Sequence, residues 1–318
     1  TRSAARGERR RSALNKITEE LLRLVSDFKG SFKGAFNIRE DGECAGRQST
    51  DHIHIESKTD GPGLVIHVDP GTSGETVYIP ACVTHGNIDD LVYNDFYIGE
   101  GADVLIVAGC GVHTDTEEEA RHNGIHRFFL EKGAHVRYEE KHIATGGGQG
   151  AKRIDPVTSV TLAEDATLEM DTVQLGGVDS TLRRTNALLA ARSRLVVRER
   201  LLTDGEETAK SDFDVLLEGE DSAVDLISRS VAKGRSHQTF HSCIRGRTRC
   251  TGHSECDAIL ADQGTVTATP ALEASHVDAS LIHEAAIGKI AGEQLLKLQT
   301  LGLTEDEAEA KIIEGFLK

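Results

Sequence analysis

A weak internal repeat constrains this chain more than any other feature. Gly101-Ala102-Asp103-Val104-Leu105 recurs as Gly133-Ala134-His135-Val136-Arg137 and again as Asp165-Ala166-Thr167-Leu168-Glu169. It continues loosely as Arg192-Ser193-Arg194-Leu195-Val196, Asp221-Ser222-Ala223-Val224-Asp225 and Asp278-Ala279-Ser280-Leu281-Ile282. The first two steps are 32 residues each, the next two are shorter, and the last gap spans roughly two units. Each unit is a small-residue turn followed by an alternating strand, and no helical periodicity lies between Ile38 and Ala285. A turn–strand unit at a period near 30 residues predicts stacked coils, a β-solenoid. A β-sandwich with similarly spaced turns is the alternative. The aromatic content of 4%, with no Trp, favours the narrow interior of a solenoid, filled by Val, Ile, Leu and Ala.

Both ends change period. Leu14, Ile17, Leu21, Leu24, Val25 and Phe28 recur at helical spacing, so an amphipathic helix is expected over 12–28, broken by Gly30 and Gly34. After Ala285, the residues Ile287, Ile290, Ala291, Leu295 and Leu298 share a helical face. Gly302 reads as a stop, and Thr304 with Glu307 as the capping box of a second helix over 305–314 that Gly315 ends. The expected division is an N-terminal tail and helix over 1–34, a solenoid core over 35–285, and a C-terminal helical segment over 286–318. That segment would cap an open solenoid end or dock a partner.

A net charge of −16 argues against nucleic-acid binding, and no apolar run is long enough to span a membrane. Arginines at 2, 6, 9, 10 and 11 read as a solvated tail in preference to a targeting segment, because Glu8 interrupts them. Six cysteines in 318 residues are too sparse for a disulfide scaffold and read as reduced thiols of a cytoplasmic protein. The run from Thr145 to Lys152 lacks the Gly-Lys-Ser/Thr of a phosphate loop. It reads as a flexible turn, and no nucleotide is expected on this chain.

The chemistry concentrates between Arg249 and Glu284. Thiols, imidazoles and carboxylates lie there on short strands, and these are the donor types that hold iron and sulfide. Cys243, Cys250 and Cys256 have the wrong spacing for a zinc knuckle. A structural zinc held among them with His241 and His253 is one alternative, and small apolar filler is another. Arg245, Arg247 and Arg249 are expected to favour the Cys256 thiolate. His283 and Glu284 follow Cys256 by 27 and 28 residues, close to one coil, so they are expected on a neighbouring rung about 4.8 Å away. On a strand, His283 and Glu284 cannot both face one way.

Cys256-Asp257, Pro270, His283-Glu284-Ala285, Leu301-Gly302-Leu303-Thr304 and Gly315-Phe316 together resemble the SufB/SufD family of iron–sulfur cluster assembly scaffolds. So do Asn94-Asp95-Phe96-Tyr97-Ile98, Gly124-Ile125-His126 and Lys132-Gly133-Ala134. The resemblance implies a right-handed parallel β-helix with flanking N- and C-terminal helical segments. It implies a non-enzymatic scaffold that carries a transient iron–sulfur cluster and works with a SufC-type ABC ATPase docked on the C-terminal helices. It also implies a homodimer or a SufB/SufD-type heterodimer, a sulfur donor and apo-protein recipients. Residue by residue, the cluster ligands it implies are Cys256, Glu284 and His283. The further mid-solenoid cysteine of the SufB type has no counterpart, since no cysteine lies between Cys110 and Cys243. The alternatives are a SufD-like regulatory subunit that holds no cluster and a β-helix enzyme acting on carbohydrate, although no paired-Asp coil stands out.

Overall fold

The structure is a computed structural model and describes residues 14–318. The arginine-rich run at 2–11 lies outside the described residues. Two ten-stranded sheets face each other, and the chain passes from one to the other at every turn. From the coil of Ser73–Val83 onward, successive strands of each sheet pair in parallel, giving a parallel solenoid of about eight turns. The solenoid reading holds and the sandwich alternative falls.

The repeat has a local cause. Gly101, Gly133, Asp165, Arg192 and Asp221 all have φ between 55° and 65°, a left-handed turn position at which Gly and Asp are favoured. The next residue is small and closed inside: Ala102, Ala134, Ala166, Ser193 and Ser222 are each 0% exposed. The turn tightens there, and a larger side chain would meet the coil stacked above or below. Stacking follows in register, with Asp103 paired to His135, His135 to Thr167 and Thr167 to Arg194. The apparent double step before Asp278 is filled by the strand Cys250–Leu260, whose Arg249-Cys250 start lacks the Gly/Asp signature.

Alternation decides what enters the core. In Ala120–Leu130, for example, every second residue is buried. The interior includes Phe as well as the aliphatic residues, with Phe96 stacked on Phe128 at 4.5 Å.

Helix α1 spans Lys16–Ser26, shorter than the expected 12–28. The Asn15 side chain accepts a hydrogen bond from the Ile17 amide at its start, and Asp27 in the left-handed region ends it. Leu21, Leu22 and Val25 are buried, and each such burial is worth about 1.5–3 kcal/mol. The sheet receives them at Gly109 and Gly111. A Cβ on Gly109 would sit 2.6 Å from the Val25 Cβ, so Gly109→Ala would push the helix off.

Alternate glycines of the run after Thr145 are packed against backbone. A Cβ at Gly146, Gly148 or Gly150 would come within 2.3 Å of the carbonyls of Thr114, Thr116 and Glu118 respectively, because these segments stack backbone on backbone.

At the C-terminal end the strand Ala279–Lys289 continues past Ala285, so Ile287 lies on a strand and the helical pattern starts later than expected. Ladder pairing with Cys250–Leu260 overrides the helical spacing. Helix α2 spans Gly292–Gln299 and α3 spans Glu305–Phe316, with the expected Thr304–Glu307 capping box. Gly315 lies inside α3 and does not end it. The hairpin does not cap the solenoid. Glu309 pairs with Lys233 at 2.9 Å, and the last strands, Thr265–Ala274 and Ala279–Lys289, stay exposed along most of their length.

Candidate functional site on the last two coils

On Cys250–Leu260 the residues Cys250, Gly252, Ser254, Cys256 and Ala258 face inward, and His253, Glu255 and Asp257 face outward. The next strand stacks on it in parallel, Ser254 against His283, Glu255 against Glu284 and Cys256 against Ala285. His283 therefore shares the inner face with Cys256, two ladder positions away, with the Glu255–Glu284 pair between them. Glu284 lies on the opposite face. The structure brings two of the three expected ligands to one side and sets the third behind them. Among the described residues, no three His, Cys, Asp or Glu side chains are close enough to ring a metal ion on their own.

Around Cys256 the inner face is closed, and it mixes apolar side chains with buried hydroxyls and the Glu199 carboxylate. Cys256 is 1% exposed, and its thiol is pushed up to about 12, first by burial and then by the nearby Glu199 and Asp257 carboxylates. The expectation that arginines would acidify it fails. Arg245 lies 2.5 Å from Asp214, and Arg249 forms a two-pronged pair with Asp221 at 2.7 Å, so both guanidiniums are spent on other strands and turns. Glu199 accepts hydrogen bonds from Ser211 at 2.5 Å and Ser228 at 2.8 Å, and Ser228 is the ladder neighbour of Cys256. His283 keeps Nδ1 buried with no hydrogen-bond partner, a donor position left open beside the thiol's strand.

The outer face is polar. His253 Nδ1 lies 2.8 Å from Asp225 Oδ1, and its Nε2 is 3.9 Å from a Glu284 carboxylate oxygen. The Glu255 carboxyl, beside Glu284 in the ladder, is raised above its ordinary value by partial burial and by Asp257.

A second constellation escapes a residue-class reading of the sequence, because charged residues are ordinarily solvated. Inside the solenoid, His122 Nδ1 meets Asp90 at 3.0 Å, His126 Nδ1 meets the Tyr138 hydroxyl at 2.8 Å, and that hydroxyl donates to Glu140 at 2.8 Å. Arg183 closes the chain of contacts at 2.7 Å from Glu140 and 3.5 Å from Glu199. Burial would raise the Glu140 carboxyl, but His142 and Arg183 outweigh it and hold it well below the usual range. Burial lowers His126 to about 4, so its ring is neutral. The signal that could have found these residues is parity: His122, Gly124, His126 and Phe128 alternate with outward Arg127 and Phe129 on one strand.

Comparison with known proteins agrees with this architecture. Residues 94–316 match the family described as SUF system FeS cluster assembly, SufBD core domain. The chain is 32% identical over 263 residues to an iron–sulfur cluster assembly SufBD family protein (MTH1150 homolog) of Methanothermobacter thermautotrophicus strain Winter, covering 80% of this chain and 62% of the relative. It is 28% identical to a SufBD family protein of Archaeoglobus fulgidus, over 80% of this chain and 68% of that protein. A Methanocaldococcus jannaschii member is 25% identical over 74% of each. The chain thus spans about three-fifths of the length of the Methanothermobacter relatives it matches. The match over residues 94–316, together with these relatives and the parallel solenoid, places this chain in the SufBD family of iron–sulfur cluster assembly proteins.

Proposed function

We propose that the chain is a non-catalytic scaffold on which an iron–sulfur cluster is assembled and from which it is released. The observation that carries this reading is the exposed last coil, where His283, with an unpartnered Nδ1, shares the inner face with Cys256 while Glu284 lies on the opposite face. One thiolate with imidazole and carboxylate donors holds iron less permanently than four thiolates, which suits a cluster that must leave. Cluster and iron are cargo here. Two donors facing in and one facing out form an incomplete shell, so a second copy or a SufB/SufD-type partner, pairing along the uncovered last strands, is the natural source of the rest. A SufC-type ATPase docks on the terminal helical hairpin, where Leu296 of α2 and Leu301 of the turn that follows it are 61% and 75% exposed. A sulfur donor and apo-protein recipients complete the cycle. Six unpaired cysteines suit the reducing cytoplasm. No helix among the described residues is long and apolar enough to cross a membrane.

The test is anaerobic reconstitution with iron and sulfide, with and without the ATPase, read by absorption and Mössbauer spectra. Cluster in the wild type and its loss in Cys256→Ser support the scaffold. A second reading, a regulatory subunit that holds no cluster, draws on the closed, protonated Cys256 thiol. It takes precedence if Cys256→Ser retains whatever iron the wild type binds.

A further inference from the structure

A groove of about 530 Å³ runs along the outer face of the sheet that holds Ile88–Ile98 and Ala120–Leu130, at the corner where its strands end. His67, Tyr97, Phe129, Thr161, Leu188 and Leu216 form one column there, each the ladder neighbour of the next. The first three are rings stacked at 5.0 Å, with planes 17° and 12° apart. The stack stops at Thr161. One face of Phe129 therefore looks over a side chain too small to cover it, and exposed Leu188 closes the far side. Two ladder steps of about 4.8 Å separate Phe129 from Leu188, which leaves a slot for one planar group.

A column of acids stands beside the rings. The coils stay in register through the turn, so Asp69, Glu131 and Glu218 line up two residues beyond His67, Phe129 and Leu216. No Lys or Arg lines the groove. The Glu131 carboxylate accepts the Glu100 amide at 3.1 Å and, like Glu218, has no ion-pair partner among the described residues, whereas nearby Glu164 is paired with both Lys132 and Arg192. Asp69 meets only His54, at 3.6 Å.

We propose that this groove receives an arginine-bearing segment of a protein partner, with one guanidinium lodged over Thr161 between Phe129 and Leu188. A guanidinium is planar, is attracted to the negative face of an aromatic ring, and pairs with a carboxylate through two N–H donors; an ammonium supplies the charge without the plane. The unpaired acids repel a planar anion. From His67 to Glu218 the groove crosses five ladder steps, about 24 Å, far longer than one small cation and matched to a length of chain. Asp69 and Glu218 stand about two and three steps from Glu131, where further basic side chains of the same segment can reach them. The surface lies on the sheet opposite α1 and two coils short of the last one, so it is separate from the cluster and from the terminal hairpin.

A fluorescein-labelled nonapeptide of alternating leucine and arginine, titrated with the full chain and read by anisotropy, tests this against the same peptide with lysine for arginine. The arginine peptide should bind saturably, about three- to tenfold more tightly than the lysine peptide. Thr161→Phe continues the ring stack and changes no charge; it should weaken binding about tenfold or more. Thr161 is exposed, so the added ring leaves the core alone, and far-UV circular dichroism confirms the fold. Glu131→Gln with Glu218→Gln should weaken binding about tenfold. Glu117→Gln with Glu118→Gln removes the same charge from exposed positions at the other end of the neighbouring strand and should leave affinity unchanged. Equal affinity for the two peptides, full affinity in Thr161→Phe, an equal loss in both paired carboxylate variants, or no saturable binding at millimolar peptide overturns the proposal. So does a dimeric wild type that Thr161→Phe reduces to single-chain mass, since the groove would then be an interface between copies. Cluster reconstitution in Thr161→Phe should match the wild type, which keeps this site separable from the scaffold reading.

Discussion

Arg183 Nη1 lies 2.7 Å from Glu140 Oε2, and the two side chains, 43 residues apart in sequence, are shut inside the solenoid. Neither charge has water to return to. The pair persists because Tyr138, His142 and Glu199 satisfy what remains of the two groups. Removing one partner strands the other. Arg183→Met should therefore cost about 3–5 kcal/mol of stability, and Glu140→Leu combined with Arg183→Met should recover much of that loss. Urea unfolding of the two variants checks it. Equal stability of the single and double variants would mean that the pair is not energetically coupled.

Stability should fall on mild acidification through the same interior. His126 titrates near 4 when folded, below its ordinary value of about 6.5, because burial disfavours the charged ring. The unfolded chain thus binds this proton first. The stabilising contribution is complete above about pH 6.5 and is lost as the pH falls toward 4, by on the order of 3 kcal/mol. His142 is lowered for the same first cause and adds in the same direction. Denaturation midpoints measured between pH 4 and 7 should show this slope, and His126→Gln should flatten it.

Cys256 should resist alkylation. With the thiol pushed up to about 12 and 1% exposed, iodoacetamide at pH 8 should label Cys44, which is exposed, and leave Cys256 unmodified. Glu199→Gln removes one raising influence but not the burial that dominates, so labelling should increase only modestly. Peptide mass spectrometry reads both outcomes. Rapid labelling of Cys256 in the wild type would contradict the closed inner face.

Leu296 and Leu301 stand exposed on the terminal hairpin without contributing to a core. Leu296→Asp with Leu301→Asp should abolish co-purification with a SufC-type ATPase while leaving the circular dichroism unchanged. Retained binding would move the docking surface off α2 and the turn that follows it.

Sedimentation of the chain should give a mass near twice 34.3 kDa. A lysine introduced on the exposed last strand by Ile282→Lys should return it to the single-chain mass, since edge lysines oppose strand pairing. A wild type that stays at single-chain mass at micromolar concentration would remove this interface.

The solenoid was legible in the sequence because each turn repeats a physical requirement, a left-handed residue followed by a small buried one, as at Gly133-Ala134 and Asp165-Ala166. The coil beginning at Arg249 was illegible for the same reason: its turn uses neither Gly nor Asp. Ile287 fits helical spacing with Ile290 as well as it fits a continued strand, and only the ladder to Cys250–Leu260, where it pairs with Ala258, decides. The chemistry was legible in type but not in orientation. Parity separates His283 from Glu284, as expected. The acidity of Cys256, by contrast, depends on where Arg245 and Arg249 send their charges, and sequence neighbours reveal nothing about Asp214 and Asp221 one coil away.

The two ends of the solenoid differ in a way that limits how copies can associate. The outermost strands at the first coils, Glu43–Gln48 and Ile53–Ser57, are short and run antiparallel to their neighbours, and the former is joined through a register shift between Ile38 and Arg39. Those edges make poor templates. The last coil offers ten and eleven residues of straight, uncovered parallel strand. Addition through that coil alone is head-to-head, uses up both reactive edges and leaves only blunted ones facing outward. Among the described residues, the geometry therefore favours a closed pair over a growing fibre, even though every coil is built on the repeating logic from which fibres are made.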